Sequence, residues 1–221
     1  MSGDGGVDRG GSRSPAAPGP MLSFARDLPN LCSLAGLLAA LLGLYFAIRG
    51  LYPAAMIGLL WAVVFDWSDG LIARRLQGRT AERRAFGAQL DSLIDVVSFS
   101  VVPAVLLLSV GAFRPWLLPG AFVILAAGVI RLSYFNVFGL LDAKTYRGLP
   151  LDANVLVLAL LFVFEPLIGV TFFAIVISIA LMVLAALNVA PITTPKLGGR
   201  WYYAVILYAL VLTLVYGWQL L

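Results

Sequence analysis

The sequence predicts an all-α protein, a polytopic transmembrane helix bundle. Three observations predict it. The chain is 62% hydrophobic and only 12% charged, whereas soluble domains sit nearer half apolar and a quarter charged. The apolar residues come in runs of about 20, the length at which a helix crosses a bilayer. The basic residues gather in alternate connections between those runs, as they do in polytopic proteins.

Taken in order, residues 1–20, "MSGDGGVDRGGSRSPAAPGP", are rich in Gly, Pro and Ser. Such a stretch buries no core and predicts a disordered tail. It is not a signal peptide, because the first apolar run starts only near residue 30 and is too long for one. Residues 21–221 are expected to form a single membrane domain. "MLSFARDLPN" predicts a short interfacial helix with Met21, Leu22, Phe24 and Leu28 inward. About seven spans follow, at roughly 30–49, 52–75, 87–111, 115–138, 151–167, 169–190 and 201–220. The fifth is short for a crossing and ends at a Pro/Gly break, "EPLIG".

With the N-terminus in the cytoplasm, twelve basic residues fall on the cytoplasmic side. Only Arg49 and Arg114 fall on the other, and Arg131 lies within a span. This bias predicts an integral membrane protein with its N-terminus cytoplasmic, and the expected location is a prokaryotic inner or plasma membrane. The net charge of +4 reports topology and lipid contact, not nucleic-acid binding.

The chain has no histidine, so the commonest general base and metal ligand is excluded. Its single cysteine, Cys32, permits neither an internal disulfide nor a thiolate metal cluster. Cys32 lies in an apolar run and reads as a small packing residue.

The unusual feature is where carboxylates fall. Asp66 and Asp69 are spaced i, i+3 at the end of the second span, and Gly70 and Ala73 continue their face. Gly87, Asp91 and Asp95 are spaced i, i+4, i+8 on the third span, again one face. A short basic loop joins the two spans, so they are antiparallel neighbours able to present four carboxylates to each other. A lone aspartate at a helix end is commonly a cap or a solvated residue. Four in matched positions near lipid are costly, each by about 2.5 kcal/mol or more before mutual repulsion. A divalent cation relieves that cost. Oxygen ligands without histidine or thiolate select Mg2+, Mn2+ or Ca2+ over zinc, and a pair of such ions is the usual clamp for phosphoryl chemistry. Gly70, Ala73 and Gly87 leave a groove where a phosphate or base can approach the backbone, and Arg74 is placed to meet a diphosphate. A proton or ion pathway is the other use of intramembrane carboxylates. The far halves of these spans show no matching polar positions.

Asp66-x-x-Asp69-Gly70-x-x-Ala73-Arg74, followed by Gly87-x-x-x-Asp91-x-x-x-Asp95, resembles the signature of the CDP-alcohol phosphatidyltransferases. Within that family, "FGAQLDSLIDVVSFSVVPA", "IRLSYFNVFG", "YRGLP" and "LPNLCSLAGLLAALLG" are similar to the membrane-type phosphatidylserine synthases. The resemblance implies a six-helix core, often dimeric, with a polar cavity facing the cytoplasm. The reaction it implies moves a phosphatidyl group from CDP-diacylglycerol to an alcohol, here L-serine, and releases CMP. It implies that Asp66, Asp69 and Asp91 hold divalent ions, two per site, that Asp95 shares one and is the general base, and that Gly70, Ala73, Arg74 and Gly87 border the CDP moiety.

The spacer from Arg74 to Gly87 is twelve residues, "RLQGRTAERRAF", where the family more often has about eight. Asp152 stands where similar sequences carry small residues or proline. The same chemistry with glycerol phosphate or inositol phosphate as acceptor is the alternative, and an ion-coupled transporter is the alternative from another class. Arg131, buried in a span, needs a partner: an anionic substrate group, Asp152 or a motif carboxylate. With Lys144 and Arg147 in the next loop it forms a candidate acceptor site for a carboxylate or phosphate.

Overall fold

A computed structural model describes residues 19–142 and 144–221 of the chain. The predicted disordered tail lies outside the described residues as far as residue 18. Helices dominate: α1 (Met21–Ala25), α2 (Leu28–Ile48), α3 (Tyr52–Arg75), α4 (Ala81–Val96), α5 (Val102–Val110), α6 (Leu118–Phe138), α7 (Asp152–Phe162), α8 (Val170–Val189) and α9 (Arg200–Gln219). Two three-residue strands, β1 (Thr145–Arg147) and β2 (Thr193–Pro195), pair antiparallel with Tyr146 opposite Thr194. This ribbon ties the α6–α7 connection to the α8–α9 connection.

Among the described residues, six helical rods are long and apolar enough to cross a membrane, counting Ala81–Val110 as one. The protein is an integral membrane bundle. The fifth predicted span, 151–167, falls short of a crossing: α7 has 11 residues, followed by a single 3-10 turn at Glu165–Leu167. At 1.5 Å per residue, α7 is about 16 Å long. Pro150 precedes it and Pro166 ends its continuation, so the backbone cannot be extended at either end.

The third rod starts at Ala81, six residues before the predicted 87. Thr80 caps it, its Oγ1 accepting from the Arg83 N–H at 3.3 Å, and Glu82 lies in the first turn. The twelve-residue spacer therefore splits into a short loop and nearly two turns of added helix. Between α4 and α5, Val97–Val101 is π-helical. Pro103 has no N–H to offer the Phe99 carbonyl, and the widened turn accommodates that loss.

The α2–α3 seam is the most extensive helix–helix contact among the described residues. A Cβ on Gly58 would lie 2.7 Å from the Ala39 carbonyl and 2.8 Å from the Gly43 nitrogen. Ala40, Ala47, Ala55 and Ala62 are buried around it. Small residues let two backbones approach where lipid supplies no hydrophobic drive. Leu59, Leu106, Val155, Leu158, Phe162, Phe173 and Ile177 fill the centre of the bundle. Of the four residues predicted inward on α1 and its exit, only Phe24 packs, on Phe86 at 5.4 Å between ring centroids. Met21, Leu22 and Leu28 are exposed, pointing away from the bundle.

Candidate active site

The carboxylates of α3 and α4 meet at one end of the bundle. Carboxylate oxygens of Asp66, Asp91 and Asp95 all lie within 4.8 Å of one another. The helical spacing explains this, because i, i+4 on α4 puts Asp91 and Asp95 one turn apart on the side facing α3. Asp95 Oδ1 is buried and, among the described residues, has no hydrogen-bond partner. An orphaned carboxylate oxygen among acids is an unfavourable arrangement that a hard cation relieves. The donor set, three carboxylates with no nitrogen or sulfur, fits such a cation.

Asp69 is not part of this triplet. It is buried and accepts a hydrogen bond from Ser33 Oγ on α2. Ser33 in turn sits one turn from Asn30, whose Nδ2 donates to the Phe24 carbonyl at 2.8 Å. Beside them, Arg79 Nε and Asp27 Oδ2 form a buried ion pair at 2.6 Å. This polar latch joins the N-terminus of α2 to the α3–α4 loop. Gly87 packs against it: a Cβ there would lie 2.8 Å from Asn30 Oδ1 and 2.9 Å from an Arg79 nitrogen.

A cavity of about 810 Å³ opens over the carboxylates. Asp66, Asp69, Asp91 and Asp95 line it, with Gly70, Arg74, Arg131 and Asp152. Arg74 Nε donates to the Gly70 carbonyl at 2.9 Å and the residue is exposed at the rim. Ala73 and Gly87 are not on the cavity wall. Of the three candidate acceptor residues, Arg131 reaches the cavity. Arg147 lines a smaller adjoining pocket of about 100 Å³ together with Arg131 and Asn188. Lys144 is exposed and lines neither.

Several cavity residues carried no sequence signal. Lys196 and Tyr146 reach the cavity from the β-ribbon, with the Lys196 ammonium 5.9 Å from the Tyr146 ring. Burial raises the Tyr146 phenol above its ordinary range, with Arg131 opposing. Trp67, hidden inside the D-W-S-D stretch, donates from Nε1 to Asp152 Oδ2 at 2.7 Å. Leu156, Leu160, Trp201, Val205 and Tyr208 form an apolar flank between α7 and α9. Leu160 and Trp201 are half exposed to the outside of the bundle, at 50% and 56%, so this flank leads sideways toward lipid.

Residues 26–190 match the family model described as CDP-alcohol phosphatidyltransferase. The chain is 39% identical over 126 residues to an archaetidylserine synthase of Methanothermobacter thermautotrophicus, covering 56% of this chain and 52% of the relative. It is 41% identical over 98 residues to a CDP-diacylglycerol–serine O-phosphatidyltransferase of Methanocaldococcus jannaschii, covering 44% of each. A protein of the same name from Bacillus subtilis is 26% identical over 147 residues, 64% of this chain and 78% of the relative. The chain thus spans about half the length of the first two relatives.

Proposed function

The chain belongs to the CDP-alcohol phosphatidyltransferase family, and from that premise we propose that it transfers the phosphatidyl group of CDP-diacylglycerol to L-serine, giving phosphatidylserine and CMP. The observation that carries this reading is the carboxylate triplet at the floor of a cavity with one polar end and one apolar flank. The flank suits two acyl chains that stay in the bilayer while the head group reaches the acids. The names of the relatives favour serine as acceptor. Residues 21–221 would be the catalytic unit, with α9 outside the family match yet forming part of the cavity wall.

In this mechanism Asp66, Asp91 and Asp95 would hold divalent ions, Mg2+ or Mn2+ and two per site, with Asp69 beside them. Such ions, when bound, would supply positive charge that neutralises the diphosphate and makes CMP a better leaving group. Arg74, at the rim, adds positive charge to the same diphosphate. Asp95 takes the proton of the acceptor hydroxyl, in a chain with no histidine to do so. The acceptor oxygen bonds to the phosphatidyl phosphorus. The bond from that phosphorus to CMP breaks, and the electron pair leaves on CMP. Gly70 keeps the floor of the groove free of side chain.

The cationic edge made by Arg131 and Lys196 favours a second reading, with a phosphate-bearing acceptor such as glycerol phosphate or inositol phosphate. Ion transport is disfavoured: among the described residues the buried charged side chains, Asp27, Asp69 and Arg131, all lie at the cavity end. The positive-inside bias supports a cytoplasmic orientation for that end, and the proposal takes the membrane to be a prokaryotic inner or plasma membrane and, by family resemblance, the protein to be a homodimer.

Purified protein supplied with CDP-diacylglycerol, L-serine and Mg2+ or Mn2+ is expected to release CMP and form phosphatidylserine. CMP released with glycerol phosphate or inositol phosphate but not serine keeps the chemistry and changes the product. No CMP with any alcohol of the panel refutes the reading.

A further inference from the structure

Two opposite charges face the cavity without meeting. Arg131, on α6, is only 8% exposed, and among the described residues its Nε has no hydrogen-bond partner. Its guanidinium lies 5.8 Å from the centre of the Phe135 ring and 5.5 Å from that of Tyr146. Asp152 opens α7, where the helix dipole favours an anion. Trp67 holds its Oδ2, and among the described residues no side chain bonds its Oδ1. Opposite charges withdrawn from water normally close on one another, because each left unpaired carries a large desolvation cost. Here they do not: the ion pair found among the described residues is Arg79 with Asp27. Ring faces hold the guanidinium and an indole N–H holds the carboxylate, and both groups remain on the cavity wall.

Resting on the serine reading, we propose that Asp152 is a specificity-determining residue that receives the acceptor's ammonium group while Arg131 receives its carboxylate. The site then selects a zwitterionic amino alcohol. An acceptor carrying only negative charge meets Arg131 favourably but is repelled by Asp152, in a setting where charges are poorly screened. The Trp67 hydrogen bond gives the selection its register. Trp67 follows Asp66 directly on α3, so the indole that fixes Asp152 shares a helix turn with a carboxylate of the triplet. An acceptor spanning Asp152 and Arg131 thus has its hydroxyl referred to the same helix as the reacting centre.

The test compares L-serine with 3-hydroxypropionate, which keeps the hydroxyl and carboxylate and lacks the ammonium. The wild type is expected to prefer serine strongly. In Asp152→Asn that preference falls by about 10- to 100-fold, through a raised KM for serine with a smaller change in kcat, while turnover of 3-hydroxypropionate rises. Trp67→Phe, which removes the hydrogen bond and keeps the ring, shifts the ratio the same way by less. An unchanged serine to 3-hydroxypropionate ratio in Asp152→Asn overturns the proposal. Should that variant not fold, an unchanged ratio in Trp67→Phe overturns it instead. A wild type that uses glycerol phosphate and not serine refutes the serine reading and the proposal together. A wild type that uses serine, with variants of unaltered preference, refutes the proposal alone.

Discussion

The two sides of α3 are built on opposite plans. Toward α2, side chains are stripped away: Gly58 lies against Ala39 and Gly43 so closely that no Cβ fits. Toward α4, α7 and α9, the same helix carries Asp66, Trp67 and Arg74 onto the wall of an open cavity. One side excludes all space and the other preserves it. Close-packed interiors transmit strain and resist displacement, so the seam makes α3 a fixed reference from which carboxylates project. The lesson is a division of labour within one helix, in which rigidity comes from residues that do no chemistry.

This contrast makes a sharp set of expectations. Changes on the cavity side should cost turnover and spare stability, and changes on the seam side should do the reverse. The largest effect is expected for Asp95→Asn, a loss of about 10²- to 10⁴-fold in turnover, with CDP-lipid binding still measurable and thermal stability without added ions unchanged or higher. Full activity in that variant removes Asp95 from the mechanism. Next comes the latch. Arg79→Ala strands Asp27, which is buried, and should cost about 3–5 kcal/mol of stability. A melting temperature equal to wild type would show that water reaches Asp27 and that the latch does not hold the α3–α4 loop. On the seam, Gly58→Ala forces a methyl into backbone and should cost about 1–3 kcal/mol. If thermal unfolding is unaltered while CMP release collapses, the seam and the cavity are not separate in the way drawn here. The smallest effect is expected for Ser33→Ala, about 0.5–1.5 kcal/mol for one lost hydrogen bond. It sharpens the contrast because Ser33 reaches Asp69 from the seam side. A weakened metal titration with little change in melting would assign Asp69 to the cavity, and the converse would assign it to the seam.

Much of this was legible in the sequence because membrane helices are strongly constrained. Run length gave the long rods, and i, i+4 spacing put Asp91 and Asp95 on the face that meets Asp66. The start of α4 was also written locally, in Thr80 and Glu82 at the head of a helix-forming stretch, but the apolar run begins later and drew the boundary to 87. The shortness of α7 follows from Pro150 and Pro166. What periodicity could not supply was partnership between distant elements. Nothing local to Asp69 says that Ser33, 36 residues earlier, hydrogen-bonds to it. Lys196 reads as one more basic loop residue until β2 pairs with β1 and brings it to the cavity. Lys144, adjacent to β1 in sequence, is on the outside. Trp67 carries no local sign of its role, since a buried indole N–H declares its acceptor only in three dimensions.

The central claim is that Asp66, Asp91 and Asp95 form one divalent-cation site on a helix held rigid from behind. Its most direct test is Mn2+ binding to the purified protein, followed by electron paramagnetic resonance, for the wild type and for Asp91→Asn. Affinity in such sites follows ligand charge and number, so binding should weaken by more than about tenfold in the variant, with its melting temperature unchanged. Equal Mn2+ affinity in the two proteins would contradict the claim.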